Sequence, residues 1–379
     1  MQTNWKDAKR IVVKIGSALL TNAETGRLKK DWLASLVDDI ADLHAEGREI
    51  VLVSSGAIAR GRRILGIEPG PLKLDQAQAS AAVGQIGLAH AYQDLFDGRM
   101  LVTAQILLTL GDTEERRRYL NARSTITSLL NLGAVPVVNE NDTVATNEIR
   151  YGDNDRLAAR VASMISADCL ILLSDIDGLY DAPPGTSRDA NHIPVIDEIT
   201  SEIEAMAGDA QGGASGLSRG GMITKVAAAK IAVTSGTHMI IASGKTFNPL
   251  KSLLDGGKCS WFQAHSDPIA ARKSWIAGSL ATSGRIMVDE GAGRALQEGN
   301  SLLPAGVIGV TGEFDRGDTI LIVSEDGEEL GCGLSSYNNS DAEQIMGRQS
   351  NEISDILGFE GRAWLVHRDD MVLNRSADK

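Results

Sequence analysis

Short β-branched runs alternate with stretches of helical periodicity through the first two thirds of the chain, and a chain with that rhythm has few folds open to it. Ile11-Val-Val-Lys14-Ile15 reads as a strand closed by Gly16. Trp32, Leu33, Leu36, Val37, Ile40 and Leu43 then recur at helical spacing, with Asp38, Asp39 and Asp42 between them and Gly47 as a stop. Ile50 to Val53 is the next strand. The unit recurs: a helix over 124–132 leads into a strand at 135–138, one over 155–166 into 169–173, and one over 223–234 into 239–241. Such a series predicts an α/β fold, with a mostly parallel sheet covered by helices on both faces.

After residue 265 the rhythm changes to short segments between glycine turns, as in Arg285-Ile-Met-Val288, Gly317-Asp-Thr-Ile-Leu-Ile-Val323 and Gly331-Cys-Gly333. That pattern predicts a small, mainly β second domain reached through 267–275. At 379 residues the chain exceeds most single cores, which agrees with two domains. Residues 281–379 hold eight Lys or Arg against eighteen Asp or Glu, so they carry −10 of the net −13 and leave the first part close to neutral.

The N-terminal residues lead through Trp5, Lys6, Asp7 and Lys9 straight into a strand, with no apolar signal region and no run of about 18 apolar residues, so a cytoplasmic protein with no membrane partner is expected. Cys169, Cys259 and Cys332 are far apart and the six histidines do not gather around them, which supports neither a disulfide framework nor a zinc site. The cysteines read as buried small hydrophobes.

Polar or glycine-rich clusters follow the strands at Gly16, at Ser54-Ser55-Gly56, at Asn139 to Asp142 and at Ser174-Asp175. In open α/β sheets ligands bind at the carboxyl ends of the strands, so these clusters should converge. Residues 139–155 crowd Asn, Asp and Glu between an apolar strand and an apolar helix. Carboxylates there can capture an ammonium group, orient cations or hold Mg²⁺ through water, although a helix N-cap alone explains one Asp of Asp153-Asn154-Asp155. Lys14 lies on an otherwise apolar strand, where a charge needs an anionic partner, and Lys225 follows Gly220-Gly221 at a helix entry. Read alone, Lys14 is equally an edge-strand lysine and Gly-Gly-X-X-X-Lys an ordinary helix start. Together the lysines and the acidic stretch point to phosphoryl transfer to a small charged substrate without a Walker loop.

Taken together, Val12-Val-Lys14-Ile-Gly16-Ser17, Val53-Ser-Ser55-Gly56-Ala57-Ile58-Ala59, Asn121-Ala122-Arg123, Pro136-Val-Val-Asn139-Glu-Asn141-Asp142, Gly152-Asp-Asn-Asp155, Gly178-Leu179-Tyr180 and Gly221-Met222-Ile-Thr224-Lys225 strongly resemble the glutamate 5-kinase family of the amino acid kinase superfamily. Val288-Asp289-Glu290-Gly291-Ala292, Ser301-Leu-Leu-Pro304-Ala-Gly306, Arg316-Gly317-Asp318 and His367-Arg368-Asp369-Asp370-Met371 resemble the PUA domain and tail of its long bacterial form. The resemblance covers nearly the whole chain. It implies an amino acid kinase three-layer sandwich over residues 1–266, a PUA domain over 281–360 and a short C-terminal tail.

The implied reaction is ATP-dependent phosphorylation of the L-glutamate γ-carboxylate to L-glutamyl 5-phosphate, the first step from glutamate to proline, with Mg²⁺ accompanying ATP. Matching positions make Lys14 and Lys225 the phosphate-stabilising lysines and Asp155 the carboxylate that aligns them. Ser55, Asp142 and Asn154 match the glutamate-binding positions, with Asn139 and Asp153 in support. Lys14, Gly16, Ser174, Asp175 and the segment Arg219, Gly220, Gly221, Met222, Ile223, Thr224 and Lys225 match the ATP-binding positions. The chain departs from the family at Ser174-Asp175, where threonine is usual, and at Arg219, which puts a bulky cation where the family has Thr. The family also implies proline as feedback inhibitor, a homo-oligomer and transfer of the product to glutamate-5-semialdehyde dehydrogenase. Rival functions are another carboxylate or carbamate kinase of the superfamily and an RNA-binding PUA protein. A free α-ammonium suits Asp142, which an N-acetylated substrate would leave unpaired, and the −10 of the C-terminal region opposes affinity for a phosphate backbone.

Overall fold

The computed structural model describes residues 5–22, 25–68, 70–144, 154–182, 184, 190–209, 221–277 and 282–374. The chain forms two compact units, Met1–Pro268 and Ile269–Lys379.

The first unit is built on an eight-stranded sheet. In chain order its elements are β1 (Arg10–Ile15), α1 (Ser17–Leu20), α2 (Lys30–Ala45), β2 (Glu49–Val53), α3 (Ala57–Ile64), α4 (Leu74–Asp97), β3 (Thr103–Leu108), α5 (Arg116–Asn131), β4 (Val135–Glu140), α6 (Asn154–Met164) and β5 (Cys169–Ser174). A small hairpin, β6 (Leu179–Tyr180) with β7 (His192–Ile193), precedes β8 (Val195–Ile196), α7 (Ser201–Asp209), α8 (Met222–Thr234), β9 (His238–Ser243), α9 (Pro249–Leu254) and β10 (Cys259–Phe262). Strand order is β3-β4-β2-β1-β5-β9-β10-β8, and every pairing is parallel except β9 with β10.

Period-two alternation sends successive β1 side chains to opposite faces. Val12 enters a core shared with α5, α6 and α8, while Ile11, Val13 and Ile15 enter a second core shared with α2, α4 and α9. Two cores on one sheet make the expected three-layer sandwich. The mostly apolar central strands follow from burial on both faces.

Two elements extend what the sequence pattern predicted. The helix expected over 124–132 begins at Arg116, and β4 runs on through Glu140 because Asn139 and Glu140 pair with Leu107 and Leu108 of β3. Residues 268–277, read as a connection, form helix α10 (Pro268–Ala277).

The second unit holds a five-stranded sheet of order β12-β11-β13-β14-β15, from β11 (Gly284–Val288), β12 (Val307–Gly312), β13 (Thr319–Ser324), β14 (Glu329–Leu334) and β15 (Met371–Leu373). Ile286, Val288, Ile320, Ile322 and Leu365 are fully buried in its own core. Cys169 is buried as expected, whereas Cys259 and Cys332 are only half-buried. All three are free thiols. Among the described residues no helix is long and apolar enough to cross a membrane.

Candidate active site

Lys14 shares the alternation of Val12, so its side chain points into the layer that holds α6 and α8. It ends against Asp155, the second residue of α6, with Nζ 2.5 Å from Oδ1. Lys225, one turn into α8, places its Nζ 3.2 Å from Asp155 Oδ2, and the Thr224 hydroxyl donates to the same oxygen at 3.0 Å. All three charged groups are buried. Burial by itself would raise the Asp155 carboxyl, but the two lysines and the Thr224 hydroxyl outweigh it and hold the group well below the usual carboxylate range. One carboxylate shared by two cations leaves a net positive centre at the carboxyl ends of β1 and β5. That is a place to stabilise charge on a phosphoryl group.

Asn154, the residue before Asp155, faces the other way. Its Nδ2 has three acceptors in reach: the Ser54 carbonyl at 2.6 Å, Ser55 Oγ at 2.9 Å and Asn139 Oδ1 at 3.0 Å. These fix which end of the amide is nitrogen. The opposite atom, Asn154 Oδ1, is buried without a hydrogen-bond partner among the described residues. Ser55 precedes Gly56, whose φ of 99° turns the chain from β2 into α3. The Ser55 hydroxyl accepts from Asn154, which leaves its own proton free to donate beside the N-terminal amides of α3.

Asp142 lies just past β4 and is buried with no hydrogen bond or ion pair to a described residue. Burial, with Glu140 nearby as a smaller influence, pushes its carboxyl up to about 7. A cation brought beside it would reverse that rise.

Of the positions matched to nucleotide binding, Gly16 hydrogen-bonds from its backbone N–H to the Leu173 carbonyl at 3.3 Å, which sets it beside Ser174 at the end of β5. The Ser174 hydroxyl donates to Asp175 Oδ1 at 3.1 Å. Gly221 is the N-cap of α8, so the backbone N–H groups of Met222, Ile223 and Thr224 open that helix. Asp175 also lines a cavity of about 670 Å³ with Ala18, Trp32, Lys245 and Phe247. Asp153, Arg219 and Gly220 lie outside the described residues.

Sequence reasoning missed the contribution of α4. Gln85 Oε1 accepts from Asn139 Nδ2 at 2.7 Å, and the Tyr92 hydroxyl lies 2.9 Å from Ser54 Oγ. Gln85 and Tyr92 are seven residues apart and so share one helix face. Gly84, next to Gln85, carried the available signal. A Cβ there would sit 1.8 Å from the Ala57 carbonyl oxygen, and one on Gly61 would sit 1.7 Å from the Ser80 carbonyl oxygen, so α3 and α4 cross in backbone contact.

A model of the amino acid kinase family matches residues 9–243, and one of the PUA domain matches 284–357. The chain is 59% identical over 368 residues to a glutamate 5-kinase of Nitrobacter hamburgensis, covering 97% of this chain and 96% of that one. It is 59% identical over 365 residues to a glutamate 5-kinase of Bradyrhizobium diazoefficiens, covering 96% and 97%. Among solved structures it is similar to the carbamate kinase of Giardia lamblia bound to AMP-PNP, at 18% identity and a TM-score of 0.48 over 68% of this chain and 99% of that one.

Proposed function

The chain belongs to the glutamate 5-kinases of the amino acid kinase family, and on that footing we propose that it transfers the γ-phosphoryl group of ATP to the side-chain carboxylate of L-glutamate, opening the route to proline. The observation that carries the proposal is the pair Lys14 and Lys225 held on Asp155, one residue from an amide whose buried oxygen has no donor among the described residues.

A γ-carboxylate oxygen attacks the γ-phosphorus, the bond to the β–γ bridging oxygen breaks, and ADP leaves as L-glutamyl 5-phosphate forms. The nucleophile is already ionised at neutral pH, so no proton has to move and no general base is needed. Lys14 and Lys225 stabilise the charge spread over the transferring oxygens and gathering on the β-phosphate, and Asp155 fixes both ammonium groups in place. Substrate MgATP brings its own metal, held through phosphates and water. Asp155 is occupied by the lysines, and among the described residues no group of three or more His, Cys, Asp or Glu side chains is placed to hold a metal ion. The nucleotide lies against Gly16, Ser174, Asp175 and the segment from Arg219 to Lys225.

Glutamate has hydrogen-bond donors only on its α-ammonium. That group fits Asn154 Oδ1 and the carboxylate of Asp142, while the α-carboxylate accepts from the Ser55 hydroxyl and the first amides of α3. Asn139 and Asp153 support this half. Proline as feedback inhibitor, self-association, hand-over of the labile acyl phosphate to glutamate-5-semialdehyde dehydrogenase and a cytoplasmic setting belong to the same proposal. The test is formation of glutamyl hydroxamate from ATP, Mg²⁺, glutamate and hydroxylamine. Product with carbamate or N-acetylglutamate but none with glutamate would move the chain to another branch of the family.

A further inference from the structure

We infer that Gln85 is a positioning residue for the amino acid substrate, acting through Asn139 to set the orientation of Asn154; this rests on the assignment of Asn154 to the glutamate half of the site. Gln85 belongs to α4, away from every segment matched to chemistry by sequence. Its Oε1 accepts from Asn139 Nδ2 at 2.7 Å, while Asn139 Oδ1 accepts from the backbone N–H of Glu140 at 2.9 Å and from Asn154 Nδ2 at 3.0 Å. The bonds agree in direction along the series, and the Glu140 N–H and the Ser54 carbonyl hold the two amides in the same sense. With its nitrogen claimed by Gln85, Asn139 offers oxygen to Asn154; Asn154 then offers nitrogen to Asn139 and presents Oδ1 to the substrate.

Asn139 is 2% exposed, so its Nδ2 cannot turn to water if Gln85 loses its acceptor. A full rotation of the Asn139 amide would set its nitrogen against both the Glu140 N–H and the Asn154 nitrogen, so the relief is a displaced Asn139 side chain that pulls its oxygen away from Asn154. Asn154, its nitrogen still held by the Ser54 carbonyl and Ser55 Oγ, would lose the third of its acceptors, and its Oδ1 would shift from the position that meets the ammonium. None of this reaches Lys14, Lys225 or Asp155, whose contacts lie on the other side of α6.

The backbone that carries Gln85 is closely packed. Gly84 and Gly61 bring α4 and α3 into direct backbone contact, and Tyr92 on the same face of α4 meets Ser54. Helix α4 thus holds one residue against the strand end that carries Ser54 and another against the strand end that carries Asn139.

The test compares wild type with Gln85→Met, which keeps length and bulk but has no comparable acceptor, and Gln85→Glu, which keeps the acceptor oxygen. Melting curves accompany the kinetics, and Gln85→Ser replaces the Met variant if that one melts early. Expected for Gln85→Met is a KM for glutamate raised about tenfold or more, with kcat at saturating glutamate and the KM for ATP within about twofold of wild type, the scale seen when a supporting hydrogen bond is removed behind a binding group. Gln85→Glu should stay within about threefold in every constant. An unchanged KM for glutamate in the Met variant overturns the inference, as does equal impairment in Gln85→Glu or a loss that falls on kcat. A wild-type protein without glutamate-dependent hydroxamate formation removes the assignment of the site itself, and the inference with it.

Discussion

Asn154 and Asp155 are consecutive, yet the first turns its amide to Ser55 and Asn139 while the second holds Lys14 and Lys225. The start of α6 is therefore the seam between the part of the site that grips an amino acid and the part that handles phosphate. Because the two residues leave the helix in different directions, substitutions on either side should separate in their kinetic effects.

Lys14→Ala and Lys225→Ala should lower kcat far more than they raise the KM for glutamate, since each lysine acts mainly on charge that develops during transfer. Loss of one such contact costs about 3 to 4 kcal/mol, or roughly 100 to 1000-fold in rate. Steady-state kinetics at saturating ATP and glutamate decide the matter, and near-normal turnover in both variants would remove the lysines from the mechanism.

Asp155→Asn should be costly to the fold as well as to the reaction. It leaves two buried ammonium groups without their shared counter-charge, a change worth about 3 to 5 kcal/mol when one partner of a buried ion pair is removed. Urea unfolding of the variant should show a lower midpoint with an unchanged slope. A midpoint equal to wild type would mean that water reaches the lysines freely.

Most of the sheet was legible because central strands buried on both faces write themselves as apolar runs, as at Ile11 to Ile15 and Cys169 to Leu173. Lys14 and Asp155 were legible for the opposite reason: each is a charge where the pattern demands an apolar or capping residue. Helix α4 was not. Its role depends on Gly61 and Gly84, whose meaning is a backbone contact between two helices, and on Gln85, an ordinary surface residue type until Asn139 is known to lie beside it. The C-terminal end of β4 was read short because Asn139 and Glu140 are polar and are held in the strand by pairing with Leu107 and Leu108 of β3, and the helix before it was begun at 124 where it starts at Arg116. That Asn154 Oδ1 is buried with no partner among the described residues is a property of three-dimensional packing alone.

Asp142 should make glutamate binding depend on pH. With its carboxyl pushed up to about 7 in the free protein, mainly by burial, the neutral form dominates below that value and cannot pair with an ammonium group. The KM for glutamate should therefore fall as pH rises from 6 to 8, and Asp142→Asn should flatten the profile. The same shift has a consequence for stability. A carboxyl raised above its unfolded value keeps its proton longer in the fold, so the unliganded protein loses stability as pH rises from about 4 through about 7. Glutamate, by pairing with the ionised form, should raise the melting temperature more at pH 8 than at pH 6. A ligand-induced shift independent of pH would place the ammonium elsewhere.

Gly84→Ala tests the helix crossing. The added Cβ would lie 1.8 Å from the Ala57 carbonyl oxygen, so α3 and α4 must separate. Overpacking of this kind costs about 1 to 3 kcal/mol. Because α3 offers its first amides to the amino acid and α4 carries Gln85, the variant should also lose affinity for glutamate while its KM for ATP stays near normal. A destabilised protein with unchanged glutamate affinity would show that the crossing serves stability alone.

A protein ending at residue 268 should remain a folded and active kinase. Every residue assigned to chemistry or to either substrate lies before Thr246, and the first unit has its own two cores on either face of the sheet. The second unit has a separate core and carries most of the net negative charge, with no residue matched to phosphate or glutamate. Its removal should alter the response to proline or the size of the assembly more than the chemical step. Hydroxamate formation by the shortened chain, measured at saturating substrates beside a melting curve that shows it folded, should come within about tenfold of the full chain, the factor that a barrier change of about 1.4 kcal/mol produces. A folded but inactive product would mean that residues beyond 268 complete the active site, directly or by holding α8 and the strand ends in register, and the catalytic role assigned to the first unit alone would have to be given up.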